Sequence, residues 1–255
     1  MRIRFLRHAT FVLFVNGRTL LVDPMLSPAG AMEPVKPAVN ELRIPLVDLP
    51  VDEHALHGLL QRLDAVLLTH AHRDHWDARA VELVSKNTLI LCQPEDETKI
   101  REAGFQRVQP VDQALEWLGI HIQRPGGQHG SGEVGQRMAP VSGFVLQANG
   151  VPTLYIAGDT IWCPEVAAVL RERQPDVTVV NAGAAQFLTG GPITMTAEDV
   201  VQVCRANPHG KVVAVHMEAV NHCLLTRPEL SARLEAEGLR KQVVIPADGE
   251  WVDLT

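Results

Sequence analysis

Two stretches of the chain share one plan, and this repeat limits what the chain can fold into. Residues 11–22 read FVLFVNGRTLLV around Asn16-Gly17, and residues 144–159 read FVLQANGVPTLYIAGD around Asn149-Gly150. Asn-Gly between apolar runs is the strongest short signal for a β-hairpin. The first hairpin runs into Asp23 and the second into Asp159. The sequence therefore predicts two hairpins in corresponding places, one in each half of the chain.

The segments that follow the two hairpins also correspond. A strand predicted over 65–69 is echoed over 177–181, a helix over 77–85 is echoed over 196–204, and a strand over 88–92 is echoed over 211–215. Strands that alternate with helices indicate a parallel sheet. Such an order also recurs by chance in α/β proteins. We predict an α/β chain in which residues 1–255 form one domain of two related βα half-domains that share a core.

The segment 24–50 interrupts this plan directly after the first hairpin. It holds six prolines among apolar residues and shows no helix or strand period. A long aperiodic segment is usually a functional loop or a disordered insertion, and its apolar content favours an ordered flap. Around the repeat we predict helices over 52–62 and 94–103, two or three strands within 105–124, and a last helix opened by the capping box Thr226–Glu229.

Charge, hydropathy and cysteine usage exclude several classes of protein. With 23 basic and 30 acidic residues the net charge is −7, which argues against a polynucleotide partner. No apolar run approaches the roughly 18 residues that cross a bilayer, so no membrane partner is expected. Polar residues interrupt the N-terminal apolar run, which is too short for a signal peptide. The four scattered cysteines indicate reduced thiols, and hence a cytoplasmic protein.

Three of the 11 histidines lie within six residues, in the segment HAHRDH that follows the apolar run AVLLT. Residues two apart in an extended segment point the same way, so His70 and His72 can converge on one ion. Past a turn, Asp74 and His75 can face a second ion. Imidazole and carboxylate are the ligands expected for zinc, and also for iron or manganese. The alternative, a solvated histidine loop, does not explain four donors packed at a strand end.

Three more candidate ligands are scattered along the chain. His129 lies in the glycine-rich segment PGGQHGSG, Asp159 follows the strand TLYIAG, and His216 closes the strand KVVAV. Each also has an ordinary reading, as an exposed loop residue, a helix cap or a strand-end side chain. His8 and His222 are candidates to line a pocket, whereas the other histidines lack ligand spacing: His54, His57, His121 and His209. Tyr155 lies in an apolar strand and is predicted to be core.

The residues just described resemble the metallo-β-lactamase superfamily, whose HxHxDH motif is long and specific. The opening RFLRHATFVLFVNGRTLLVDP further resembles the ascorbate-phosphate lactonase branch of that family. The resemblance covers essentially the whole chain and implies a four-layer αββα sandwich. It implies that His70, His72 and His129 hold one metal ion. It also implies a second ion and a supporting residue, with these roles: Asp74, His75 and His216 on the second ion, Asp159 bridging both, and Asp23 holding ligand histidines in place.

The implied activity is hydrolysis by a hydroxide that bridges two divalent ions, with Zn²⁺ first and Mn²⁺ or Fe²⁺ as alternatives. Asp74, Asp159 and His222 are the predicted catalytic residues, with His222 contacting substrate or leaving group. The predicted substrate is a small ester, lactone or phosphoester. Small phosphodiesters and a metal-dependent sensor of the same fold remain alternatives, whereas an amidohydrolase barrel would need roughly eight βα units. Several arginines near the motifs could meet a phosphate: Arg7, Arg43, Arg73, Arg124 and Arg137.

Overall fold

Two seven-stranded sheets form the centre of the structure, a computed structural model that describes residues 1–138 and 140–254. In chain order the strands are β1 (Arg2–Arg7), β2 (Thr10–Val15), β3 (Arg18–Val22), β4 (Ala65–Leu67), β5 (Leu89–Cys92), β6 (Arg107–Pro110), β7 (Ala114–Trp117), β8 (Ile120–Gln123), β9 (Phe144–Gln147), β10 (Leu154–Ile156), β11 (Val177–Asn181), β12 (Lys211–Val215), β13 (Val243–Val244) and β14 (Trp251–Asp253). The helices are α1 (Glu53–Leu60), α2 (Ala78–Leu83), α3 (Glu97–Glu102), α4 (Gly132–Met138), α5 (Pro164–Arg173), α6 (Ala197–Ala206) and α7 (Arg227–Ala236).

The two sheets have the same topology. The first has the order β14-β1-β2-β3-β4-β5-β6, and the second has β13-β12-β11-β10-β9-β8-β7. In each sheet an antiparallel part leads into a parallel part, which starts at β3 in the first and at β10 in the second. The hairpin β2–β3 thus corresponds to β9–β10, and the unit β4-α2-β5 corresponds to β11-α6-β12. The prediction of two related half-domains is confirmed.

Apolar side chains divide among three layers of packing. Along β2, Phe11, Leu13 and Val15 point between the two sheets, where they meet residues of the second sheet such as Phe144. Val12, on the opposite face of the same strand, packs beneath the helices α1 to α3. A third cluster joins the second sheet to α5, α6 and α7. Because both faces of the central strands are buried, their sequences are nearly continuous apolar runs. The layer order is αββα, as predicted.

Two elements have no clear signal in the sequence. Strand β1 carries arginines, yet Arg2 and Arg4 place their guanidinium carbons 4.5 and 5.7 Å from the ring centre of Trp251, so these charges cover an aromatic side chain at the sheet edge. Helix α4 lies in the glycine-rich segment after His129 and buries none of its own residues. A Cβ at Gly135 would come within 2.5 Å of the Gly130 oxygen, so glycine permits this close approach.

The flap, residues 24–50, is anchored by the buried side chain of Arg7, the last residue of β1. All of its residues are described, and they form no helix or strand beyond a single bridge between Met32 and Ile44. The Arg7 guanidinium, 0% exposed, donates to the carbonyl oxygens of Met25 (2.6 Å), Ser27 (2.9 Å) and Val47 (2.7 Å). Burial lowers the pKa of Arg7 to about 10, which still leaves it charged at neutral pH. Arg7 therefore holds the flap in place and does not meet a phosphate.

Replacing Arg7 with methionine is expected to lower the free energy of unfolding by about 3 kcal/mol, because three buried carbonyl groups lose their donor. Urea-induced unfolding followed by circular dichroism measures this loss. The matched control is Arg171→Met, since the Arg171 side chain is 69% exposed, and its effect is expected within about 0.5 kcal/mol. A loss of less than about 1 kcal/mol for Arg7→Met would show that the flap does not depend on these bonds.

Candidate metal centre

Six strands, three from each sheet, end at one place between the sheets. Within each sheet these strands run in the same direction, so their carboxyl ends lie at the same edge. Each strand is followed there by a chemically reactive side chain: His8 after β1, Asp23 after β3, His70 after β4, His129 after β8, Asp159 after β10 and His216 after β12. All nine predicted metal and supporting residues therefore lie around one centre, where six of them form two clusters of three.

The first cluster consists of His70, His72 and His129. Its ring centroids are 4.4 to 5.5 Å apart, and one nitrogen from each ring lies within 4.8 Å of the other two. His70 and His129 are almost fully buried, whereas His72 is partly exposed and faces a cavity. Three imidazoles that converge in this way can hold one divalent ion.

The second cluster consists of Asp74, His75 and His216, with His8 beside them. The Nε2 atoms of His75 and His216 are 3.3 Å apart, and each lies 3.8 Å from the Asp74 Oδ2. All three residues are buried, and Asp74 alone among them borders the cavity. Two imidazoles and a carboxylate at these distances can hold a second divalent ion.

The Asp159 carboxylate lies between the clusters. Its Oδ2 is 3.4 Å from the His129 Nε2 and 3.3 Å from the His75 Nε2, while its Oδ1 is 3.3 Å from the His216 Nε2. Asn181 donates to the same Oδ1 at 2.6 Å and fixes the plane of the carboxylate. One side chain thus faces donors of both clusters, which is the placement that a bridging ligand needs.

Asp23 orients two of these histidines from behind. Its Oδ2 accepts from the His75 Nδ1 at 2.9 Å and from the Thr69 hydroxyl at 2.7 Å, and its Oδ1 accepts from the Thr69 backbone N–H. Because the Thr69 hydroxyl donates to Asp23, it can accept from the His70 Nδ1, 3.1 Å away. Both histidines are then protonated at Nδ1, and their Nε2 atoms are free to bind metal.

Two further histidines also have a neighbour at Nδ1, the ring nitrogen that faces away from the centre. The His129 Nδ1 donates to the Ile193 carbonyl at 2.7 Å, and the His216 Nδ1 lies 3.6 Å from the Cys223 sulfur. Each arrangement leaves the Nε2 atom facing the centre. Ile193 could not be predicted from the sequence, because the partner is a backbone carbonyl, which every residue carries.

His8 differs from the histidines of the clusters. Its Nε2 lies 3.2 Å from the Asp74 Oδ2, but within the described part of the chain its Nδ1 has no hydrogen-bond partner. Burial lowers the pKa of His8 to about 3, so the ring is neutral, and a proton on Nε2 makes the bond to Asp74. His8 therefore holds Asp74 in place from behind and does not line the cavity.

The charges of the centre fit divalent cations. Burial alone raises the pKa of a carboxyl group, but His75 and His8 hold the pKa of Asp74 well below its usual range, and His216 and His75 do the same for Asp159. Burial alone lowers the pKa of an imidazole, yet Asp159 outweighs it and raises the pKa of His216 to about 10. The same carboxylates raise the pKa of His75.

Two buried negative charges thus demand positive charge at this centre. The buried Nε2 of His70 also has no hydrogen bond to any residue that the structure describes. Zinc or a similar ion would satisfy both needs, and nitrogen and oxygen donors of this kind suit such ions. The residues present therefore fit the two-metal centre that the sequence predicts.

Three of the site residues adopt a backbone conformation that side chains disfavour. The φ angles of His8, Asp23 and His216 are 58°, 41° and 68°. Left-handed backbone at residues other than glycine costs roughly 1–3 kcal/mol and persists only where the surroundings enforce it. Here the His216 N–H donates to the His8 carbonyl at 2.8 Å, which ties the first sheet to the second.

A cavity of about 300 Å³ opens over the clusters. Four residues of the centre line it: His72, Asp74, His129 and Asp159. Its other walls include the apolar side chains of Val35, Met138 and Phe187 and the cationic side chains of Lys36 and Arg73. His222 also lines it, 5% exposed, with its ring stacked on Phe187 at 5.9 Å between centroids. Burial lowers the pKa of His222 to about 4, so its ring is neutral at pH 7.

The flap forms one wall of this cavity because Asn221 binds its backbone. The Asn221 Oδ1 accepts from the Val35 N–H at 2.8 Å, and its Nδ2 donates to the carbonyls of Val35 and Asn40, each at 3.0 Å. Arg73 adds a bond to the Pro34 carbonyl at 2.9 Å. Sequence reasoning missed Asn221, although its place directly before His222 could have drawn attention to it.

The remaining candidates lie elsewhere. Tyr155 is fully buried in the core, as predicted, and Arg124 and Arg43 do not border the cavity. The histidines outside the clusters are exposed or partly exposed: His54, His57, His121 and His209. Among the helices of residues 1–138 and 140–254, none has the length and apolar character needed to cross a membrane.

Comparison with known proteins gives consistent matches. A family profile described as a beta-lactamase superfamily domain matches residues 18–217. The UPF0173 protein YddR of Bacillus subtilis (strain 168) is 36% identical over 253 residues, which cover 98% of each sequence. The solved structure of isothiocyanate hydrolase from Delia radicum gut bacteria is similar, with a TM-score of 0.94 and 37% identity over 99% of both chains. A possible metal-dependent hydrolase from Veillonella parvula DSM 2008 has a TM-score of 0.94 and 31% identity over 99% of this chain and 98% of that one.

Proposed function

We propose, from the premise that this chain belongs to the beta-lactamase superfamily and is a metal-dependent hydrolase of the metallo-β-lactamase fold, that it cleaves a small ester, lactone or phosphoester at a two-metal centre. The observation that carries this proposal is the position of Asp159. Its two oxygens face donors from both clusters, as a carboxylate shared by two ions must.

In this proposal each cluster holds one ion. His70, His72 and His129 bind the first, Asp74, His75 and His216 bind the second, and Asp159 binds both. Zinc suits this set of nitrogen and oxygen donors, and manganese or iron would accept the same set. Metal analysis of protein purified without chelators tests this assignment, and less than one ion per chain would contradict it.

The reaction divides between the ions and the chain. When bound, two divalent ions lower the pKa of water to roughly 7 and stabilise negative charge on the oxygen of the scissile group. Asp74, held by His8 and bordering the cavity, accepts the hydrogen bond of the attacking water. Neutral His222 donates a hydrogen bond from its ring to the substrate or leaving group. The flap wall keeps the reacting group close to the centre.

The cavity supports a small substrate. Its volume of about 300 Å³ is at the lower end of ligand pockets, and apolar Val35, Met138 and Phe187 form part of its wall. A screen of metal-loaded protein against a lactone, an aryl ester, a thioester and bis(4-nitrophenyl) phosphate is expected to show turnover of an acyl or phosphoryl substrate. Turnover of the phosphodiester alone would favour the phosphodiesterase alternative. Two bound ions without any turnover would favour a sensor or binding protein.

An isothiocyanate is a second candidate substrate. It is favoured by the 37% identity and the TM-score of 0.94 to the isothiocyanate hydrolase, together with the apolar wall beside Phe187. Hydrolysis would add water to the central carbon of R–N=C=S and release the amine R–NH₂ and carbonyl sulfide. Loss of the ultraviolet absorbance of benzyl isothiocyanate in the presence of metal-loaded protein tests this candidate directly.

A reducing compartment fits the thiols. Cys92, Cys163 and Cys204 are buried free cysteines, and burial raises the pKa of Cys92 to about 12 and that of Cys204 to about 11. These groups stay protonated and unreactive at neutral pH. We therefore propose that the protein works in the cytoplasm.

Replacing His222 with alanine is expected to lower kcat about 100-fold on the best substrate of the screen, because the substrate loses one preorganised donor. Metal content is expected to remain at two ions per chain, since His222 belongs to neither cluster. The control is His209→Ala, at an exposed histidine. Loss of a metal ion in His222→Ala would instead make His222 a ligand, and unchanged kcat would remove it from the reaction.

A further inference from the structure

A second cavity adjoins the one over the metal centre. It has a volume of about 280 Å³ and shares Lys36, Met138 and Phe187 with the first. Pro37 and Val134 extend its walls beyond the shared residues. The two cavities together have more volume than the small reacting group of an ester or lactone fills. A substrate held at the centre can therefore extend an arm past Phe187.

The walls of this outer cavity suit an apolar arm. Val134, Met138 and Phe187 are each only half-buried, so they offer apolar surface that the fold itself does not cover. Helix α4, which carries Val134 and Met138, approaches the neighbouring loop closely at Val134. A Cβ at Gly190 would come within 2.8 Å of the Val134 Cγ2, so glycine is needed there for this contact.

The outer cavity is lined by one positive charge that has no partner among the described residues. Arg137 lines it and makes no hydrogen bond or ion pair with the residues described by the structure. The other two cationic side chains near the cavities already have partners, because Lys36 pairs with Glu41 at 3.1 Å and Arg73 donates to the Pro34 carbonyl. No acidic residue is among the described residues that line the outer cavity. An anionic group placed there would meet an unpaired guanidinium.

We propose that the outer cavity binds the arm of the substrate, and that the preferred substrates carry an apolar arm ending in a carboxylate that pairs with Arg137. This proposal rests on the proposed hydrolase function and names the substrate class of that same site. The reacting carbonyl lies over the metal centre, the arm passes Phe187 and Met138, and the carboxylate reaches the C-terminal end of α4.

The test compares two esters whose acyl arms have equal length. 4-Nitrophenyl hexanoate has a neutral arm, and mono-4-nitrophenyl adipate has the same arm with a terminal carboxylate. Metal-loaded wild type is expected to show a kcat/KM about tenfold higher for the adipate ester. Arg137→Gln is expected to remove this preference by raising the KM for the adipate ester about tenfold, with hexanoate hydrolysis changed less than twofold. The control is Arg107→Gln, at an exposed arginine on β6 that does not border either cavity.

Calorimetric titration with free adipate and free hexanoate separates this proposal from the proposed function. If neither ester is hydrolysed, the function fails, but tighter binding of adipate that is lost in Arg137→Gln still supports the arm site. If both esters are hydrolysed with equal kcat/KM, and adipate binds no better than hexanoate, the arm site is overturned and the hydrolase function stands.

Discussion

Replacing Asp159 with asparagine is expected to lower hydrolysis at least about 1,000-fold and to reduce bound metal from two ions per chain to one or none. The change keeps the shape of the side chain and the hydrogen bond from Asn181 to its oxygen. It removes the negative charge that faces both clusters, and it places an amide NH₂ toward the Nε2 atoms of His75 and His129. An NH₂ group cannot bind a cation, so the two clusters lose their shared ligand.

Mass spectrometry of the native protein and steady-state kinetics on the same preparation measure both effects. Asp112→Asn is the matched control, because the Asp112 side chain is 85% exposed and lies outside the centre. It is expected to retain full activity and both ions. An Asp159→Asn protein that keeps two ions and more than a tenth of the activity would show that the carboxylate does not bridge.

Removal of metal with a chelator is expected to lower the melting temperature by roughly 10 °C. The centre holds buried carboxylates and imidazoles whose charges the fold alone must balance when the ions leave. A ligand present at about 1,000 times its Kd stabilises a protein by about 4 kcal/mol, and for a chain of this size 1 kcal/mol corresponds to about 2–4 °C. Differential scanning fluorimetry before and after dialysis against EDTA, with zinc added back, measures the shift.

The Asp159→Asn variant provides a control for this experiment. Because it has at most one ion to lose, its melting temperature is expected to fall less with EDTA than that of the wild type. A wild-type protein that melts at the same temperature with and without chelator would contradict tight binding at the centre.

The fold could be predicted from sequence where local signals and the repeat agree. Asn16-Gly17 and Asn149-Gly150 mark hairpins by turn chemistry alone, and both hairpins form with their turns at these dipeptides. The second half supported the interpretation of the first, since the strand over 177–181 repeats the one before His70. Strand β1 escaped prediction because its arginines are explained only by Trp251, which lies at the other end of the chain.

The candidate site could be predicted as a set of residues but not as an arrangement. The spacing within HAHRDH identifies donors, because alternation along an extended segment is a local property. The bonds that orient them are not local, since Asp23 meets His75 across 52 positions and Asn221 meets Val35 across 186. Arg7 shows the same limit in a residue whose predicted role was wrong. Its position near the motifs suggested a phosphate contact, whereas its guanidinium donates to three carbonyl groups of the flap.

The left-handed backbone at His216 lowers stability at a residue that the proposed function makes a metal ligand. Glycine at this position would adopt the observed φ of 68° without strain, so the histidine costs the folded protein roughly 1 kcal/mol or more. If stability were the only requirement, replacing this histidine with glycine would raise the free energy of unfolding. The proposed role of His216 as a metal ligand is a function that would offset this cost.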